Sequence, residues 1–358
     1  MKISELLNKK NNNLDLIRII LACLVIVGHS PVLNGLTGKW ADPISYFFPF
    51  TYSGSLAVKA FFFISGLVVT NSYLSKRNAI YLVISRVFRI LPALLFVLLA
   101  TVFLFGPILT TLSIPDYISG LDNLSYIYGN LIFKTQYYLP GLFANNPYPN
   151  AVNGSLWSLK YEMGCYIFLL VTFLLMGRIN KYYLNIPIAF VVADALLETP
   201  ILFSFLGTNP EISLLPMSFA IGCLFAVNAD ILMINLYVLL TTILFLLIFK
   251  DGPYAEIALV VTFCVLITYI STRKSVIKLR PSYDISYGIY LWGFLIQQTI
   301  VYVTGTIYVG LHCLLALLIS VVLAFISYIY IEKPSIAFGK KVFHMLKTKM
   351  PLSLQNGI

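Results

Sequence analysis

Apolar runs of about 20 residues recur along this chain from residue 14 to residue 331, and a run of that length lets an α-helix cross a bilayer core. The runs are continuous, not alternating, so an outer-membrane-type barrel is excluded. The expected spans are 14–33, 54–74, 87–106, 156–176, 184–203, 211–228, 231–249, 254–271, 285–304 and 309–331. Composition agrees: of 358 residues, 59% are hydrophobic and 11% charged, where soluble domains carry about 45–50% and about 25%. Disorder, a fibre and a soluble enzyme are excluded. The fold class is therefore all-α, a polytopic membrane protein with about ten transmembrane helices.

The formal net charge of +10 would suggest nucleic acid if the basic residues formed a patch. They fall in short loops instead, as membrane orientation requires, so no nucleic-acid partner is expected. Placing Lys2, Lys9, Lys10, Lys76, Arg77, Arg178, Arg273, Lys278 and Arg280 inside puts both termini in the cytoplasm. The N-terminus lacks a small-residue cleavage site and reads as a retained first span, not as a signal peptide. Residues 1–335 read as the membrane domain and 336–358 as a basic cytoplasmic tail on the membrane surface. Residues 107–155, rich in Pro, Gly, Asn and Tyr, read as an ordered cap over the outer mouth. The five cysteines lie within apolar runs without metal-ligand spacing, so neither a disulfide framework nor a metal site is expected.

Charges inside a membrane segment are costly and mark functional candidates. The first span carries Arg18 and His29. Eleven residues make about three turns, so both side chains project from one face, about 16 Å apart along the axis. Arg18 faces the cytoplasmic side and His29 the outer surface; snorkelling and simple interface marking are the bland alternatives. In NGSLWSLKYE (153–162), Trp157 reads as an interfacial anchor and Glu162 lies about 7 Å deeper, near the expected depth of His29. A carboxylate beside an imidazole would support a general base; an ion pair of Glu162 with Lys59 or Lys160 is the alternative. Arg86 and Arg89 share a helix face at the cytoplasmic boundary, explained either by orientation or, with Arg18, by an anionic phosphate ligand. In SYDISYGIYLWGFLIQQ (282–298), Asp284, Ser286, Tyr287 and Tyr290 near one end, with Gln297 and Gln298 near the other, suit a tunnel lining or interhelical hydrogen bonds. Trp157, Tyr287 and Tyr290 are the candidate substrate contacts. No phosphate-binding Gly loop, GxSxG elbow, HExxH or CxxC is present.

In this order and spacing, the Arg18/His29 pair, FFFISG (61–66), the Arg86/Arg89 pair, GSLWSLKYE (154–162), SYGIYLWGF (286–294) and IEKP (331–334) resemble the membrane-bound acyltransferase family 3. Members of that family O-acylate bacterial surface glycans. The resemblance implies an acyl-CoA donor, most often acetyl-CoA, a glycan or lipid-linked saccharide acceptor, and His29 and Arg18 as essential residues, in a multi-pass protein of the bacterial inner membrane. Many members carry a second histidine where this chain has Gly293, so no such role transfers. Some members continue into an extracytoplasmic hydrolase-like domain; here acceptor transfer is expected to use the membrane domain or a partner. The expectation is an O-acyltransferase, with acetyl as the family's commonest acyl group, His29 as general base or acyl relay and Arg18, Arg86 and Arg89 holding the donor. A transporter or flippase for a lipid-linked glycan is the competing reading, and a non-catalytic scaffold a third.

Overall fold

Three of the long helices begin at an asparagine that caps them. Asn13, Asn78 and Asn235 accept from the backbone N–H three residues on, at 3.1, 2.8 and 2.9 Å, satisfying groups that an apolar medium would leave bare. The computed structural model describes residues 1–36, 42–176, 180–197, 201–204 and 210–349. The bundle helices that run through them are α1 Leu14–Leu33, α2 Ser53–Lys76, α3 Ala79–Ala100, α4 Leu159–Met176, α5 Asn185–Asp194, α6 Pro210–Val227, α7 Leu236–Phe249, α8 Ala255–Ser271, α9 Ser286–Thr304, α10 Val309–Ser327 and α11 Lys333–Lys349, and a further helix, Asp122–Leu131, lies in the 107–155 segment. Among the described residues the only β-pairing is one bridge between Lys2 and Met233.

Five helical stretches are long and apolar enough to cross a membrane, and Ser213–Val227, α7 and α8 are shorter apolar helices. The chain is a polytopic helical membrane protein. Differences from the expected spans are local. The third begins earlier, at the Asn78 cap, and continues through a widened turn at Thr101–Phe105 to Leu109. The fifth was expected to reach 203, but α5 stops at Asp194, whose carboxylate accepts from the backbone N–H of Ile201 and Leu202 and turns the chain back. Arg178, expected in the inner loop before that span, residues 198–200 of the span itself and residues 350–358 of the expected tail lie outside the described residues.

Helix α10 shows how residue size sorts inside from outside. Leu311, Leu314, Leu318, Val322 and Phe325 form an exposed stripe at helical spacing, while His312, Ala316, Ser320 and Ala324 are buried against α9. Small residues let two helices approach where lipid offers no hydrophobic drive, and large apolar ones suit the lipid face. The closest crossing is α2 with α6. A Cβ on Gly66 would lie 2.1 Å from the Phe219 carbonyl oxygen, and one on Gly222 2.1 Å from that of Phe63.

Both ends of the bundle are pinned. At the Arg18 end, Asn13 N–H bonds the Ser271 carbonyl, the Asn13 amide reaches Val276, and the Arg280 guanidinium donates to the carbonyls of Lys9 and Asn12. Lys181 pairs with Asp230 at the same end, so segments expected inside the cell meet on one face. At the His29 end, residues 107–155 are ordered by burial of Leu139, Leu142, Phe143 and Val152. The Gln298 amide donates to Tyr148 and Ala151 and accepts from Asn146, tying this cap to α9. Helix α11 does not trail free: Phe338 and Phe343 pack edge-on against Phe88 and Tyr81 of α3.

Candidate active site

Helix α1 is continuous between Arg18 and His29, and the two residues open into different chambers. The chamber at the Arg18 end, about 620 Å³, is lined by Arg18, Arg89, Arg280, Asp15, Asp284 and Asn71 among others. The chamber at the His29 end, about 700 Å³, is lined by His29, Asp42, Tyr52, Tyr137, Tyr148, Trp157 and Phe294 among others. A crevice of about 60 Å³ lies between them, with Arg18, Phe61, Ser65, Ser158, Glu162, Tyr287 and Tyr290 on its walls. Three helices give the same axial order. On α1 the order is Arg18 then His29; on α9, Tyr287 and Tyr290 then Phe294; on the 154–176 segment, Glu162 and Ser158 then Trp157.

The guanidiniums at the inner chamber are held by carboxylates. Arg18 Nη1 donates to Asp284 at 2.8 Å, Arg89 Nη2 donates to the same oxygen at 3.0 Å, and Arg89 Nη1 lies 3.3 Å from Glu332. Glu332 is fully buried at the end of the widened turn Tyr328–Glu332 that joins α10 to α11. Burial works against the Asp284 charge, but Arg18, Arg89 and hydrogen bonds from Ser286 outweigh it and hold the carboxyl at about 2. Arg86, one turn before Arg89, is not on the inner chamber's wall; it lines, together with Arg89, a crevice between α3 and α11, and lies against the Tyr166 ring at 5.9 Å.

His29 packs edge-on to Phe294, ring centres 5.3 Å apart, and its Nδ1 is buried without a hydrogen-bond partner. The carboxylate sharing its chamber is Asp42, which caps the short helix Pro43–Phe47 and accepts from Ser53 through both backbone and hydroxyl. The structure does not bring Glu162 to His29: Glu162 accepts from Tyr166 at 2.5 Å and from Ser65 at 3.4 Å, one layer deeper. That layer is closed by Tyr290, whose hydroxyl meets Ser158 at 2.6 Å and the Ser155 carbonyl at 2.7 Å. Nor does Glu162 pair with a lysine: Lys59 pairs with Glu256, and Lys160 sits over the Tyr161 ring at 4.8 Å. Tyr287 donates to the Ile90 carbonyl at 3.2 Å. At Gly293 a Cβ would come within 2.8 Å of Ile26 on α1, so the contact between α9 and α1 leaves no room for a larger side chain.

Sequence reasoning missed Asp42, Glu332 and the chamber tyrosines. Asp42 carried a signal in DPIS, an N-cap followed by proline at the first helical position. Glu332 was visible only as part of IEKP, and nothing in its spacing links it to Arg89. Among the described residues no His/Cys/Asp/Glu group is placed to hold a metal, and the five cysteines are free thiols.

The family model described as "Acyltransferase domain" (Acyl_transf_3) matches residues 11–331. The chain belongs to the acyltransferase-3 family. It is 27% identical over 339 residues to an O-acetyl transferase of Shigella phage Sf6, covering 90% of this chain and 96% of the relative. Nodulation protein 10 of Rhizobium leguminosarum bv. viciae is 28% identical over 173 residues, covering 44% of this chain and 42% of that protein. No solved structure matches. The protein is thus a membrane-embedded enzyme that transfers acyl groups, and its chambers are to be read in the light of that chemistry.

Proposed function

We propose that this enzyme moves an acetyl group from acetyl-CoA, entering at the Arg18 end, to a hydroxyl of a surface glycan or lipid-linked saccharide in the His29 chamber. The observation that carries the proposal is the continuous α1 helix, which offers a guanidinium to one chamber and an imidazole to the other. In a bacterial inner membrane with the basic end in the cytoplasm, this puts the donor where acyl-CoA is made and the acceptor where surface glycans are modified. Arg18 and Arg89, held in place by Asp284 and Glu332, receive the donor phosphates, with Arg86 adding positive potential nearby. The pantetheine arm threads past Tyr287, where Glu162 accepts from its amide N–H, and the Ser158–Tyr290 layer opens to let the thioester reach His29.

In the outer chamber His29 accepts the proton of the acceptor hydroxyl as that oxygen bonds to the thioester carbonyl carbon. The carbon–sulfur bond breaks, and the departing thiolate takes up the proton from His29. Tyr52, Tyr137, Tyr148 and Trp157 offer flat apolar faces that suit a pyranose ring. An acyl-histidine relay uses the same groups with nitrogen as first acceptor. Incubating the purified protein with labelled acetyl-CoA and a polysaccharide acceptor tests the reading. Label on acceptor hydroxyls is expected, and its absence with intact, folded enzyme counts against it. A trapped acyl-enzyme that vanishes in His29→Ala selects the relay.

A further inference from the structure

Arg86 is the intramembrane arginine with nothing to answer its charge. Its Nε is buried without an acceptor, and among the described residues no carboxylate pairs with its guanidinium, in contrast with Arg18 and Arg89. The Tyr166 ring face is its one close partner. Arg86 is half-buried, and a guanidinium with a buried Nε left this way gains from an anion that completes it. Beside it lies a crevice of about 160 Å³ between α3 and α11, where Lys340 supplies a second cation and Tyr81, Phe88 and Phe343 supply apolar walls. Lys340 likewise has no acidic partner among the described residues.

The surroundings indicate which anion. Helix α11 leaves Met345 and Leu346 exposed and carries Lys340, Lys341 and Lys347. Exposed apolar side chains interleaved with lysines mark a helix lying at the headgroup level of a bilayer. Basic clefts between helices at that level suit anionic lipid headgroups. The inner chamber, by contrast, is lined by Arg18, Arg280, Asp15 and Asp284 among others, and Arg89, which lines both cavities, already has Asp284 and Glu332 as partners.

We propose that the α3–α11 crevice holds the phosphate of an anionic glycerophospholipid from the leaflet at the Arg18 end. Arg86 and Lys340 pair with the phosphate oxygens, and the aromatic walls meet the first carbons of the acyl chains. The site thereby ties α11 to α3 through a lipid, beside the Arg89 that the donor assignment uses.

The test is native mass spectrometry of the full-length protein released from nanodiscs of phosphatidylglycerol and phosphatidylcholine. The wild-type protein is expected to retain phosphatidylglycerol in preference to phosphatidylcholine. Lys340→Gln and Arg86→Gln are expected to lower that retention about tenfold each, as loss of a charge-assisted contact implies, and Lys341→Gln to leave it unchanged. Lys340 is exposed, so its variant remains informative if Arg86→Gln does not fold. Equal retention by wild type and Lys340→Gln overturns the proposal, as does an equal loss in Lys341→Gln, which would reduce the effect to surface charge. Displacement of the retained lipid by coenzyme A also overturns it, assigning the crevice to the donor.

Discussion

Asp284 carries two arginines on one oxygen, and that arrangement sets what substitutions at the inner chamber will do. Asp284→Asn keeps the size and removes the charge, leaving Arg18 without a carboxylate partner and Arg89 with Glu332 alone, and breaking a buried pair costs about 3–5 kcal/mol. The variant is expected to melt earlier and to show a raised KM for acetyl-CoA, read from thermal unfolding and donor titration. With its folded pKa below the ordinary 3.8, at about 2, Asp284 contributes stability that is fully present above about pH 4. That stability is lost as the pH falls toward 2, so Asp284 itself should leave the donor KM unchanged from pH 5 to 8. Burial raises the Glu332 carboxyl to about 7, so any change of donor KM near pH 7 is expected to disappear in Glu332→Gln. A titration in that range that persists in Glu332→Gln would show that the arginines are not held this way. At the other end, His29→Gln is expected to lower kcat by roughly 10²–10⁴ with donor affinity nearly unchanged, measured by turnover and by donor binding. The functional candidates Arg18, His29, Arg89 and Asp284 were legible as polar residues within apolar runs. Their partners were not, because Asp284 is 266 positions from Arg18 and one sequence carries no azimuth for one helix relative to another. Glu162 illustrates the limit. Rise per residue places it along the membrane normal, but which neighbour it faces depends on α2 and α4 packing, and there Ser65 and Tyr166 hold it.

Helix existence was readable from apolar length alone, and α1 to α4 fall close to the expected spans because a bilayer admits little else. Boundaries that depended on polar contacts were not readable: α5 ends at Asp194, and the third span starts at the Asn78 cap. The α2–α6 crossing is likewise invisible without the fold, since Gly66 and Gly222 are merely two of 21 glycines in the sequence. Gly222→Ala is expected to force the helices apart against the Phe63 carbonyl, destabilising the protein by about 1–3 kcal/mol. Thermal unfolding in detergent measures this, and an unchanged melting temperature would mean that the crossing is looser than described. The α11 segment, read from composition as a surface tail, packs on α3 because its Phe338 and Phe343 recur on the face toward Phe88 and Tyr81.

For the molecule as a whole, the basic segments gather at one end and the aromatic cap at the other, so the two chambers are expected to open to opposite sides of the membrane. Cysteines placed at the exposed positions Leu279 and Leu121 should react with a membrane-impermeant maleimide from opposite faces of sealed vesicles. Labelling of both from one face would remove the transmembrane reading. The Ser158–Tyr290 layer between the chambers implies that transfer needs a local opening, not a permanent pore. Sidedness is therefore the most direct test of the whole arrangement. Proteoliposomes holding a glycan acceptor inside, with labelled acetyl-CoA added outside to enzyme oriented Arg18-end outward, should accumulate label on the enclosed glycan. Label appearing only when donor and acceptor share one compartment would contradict the arrangement of one helix serving two sides.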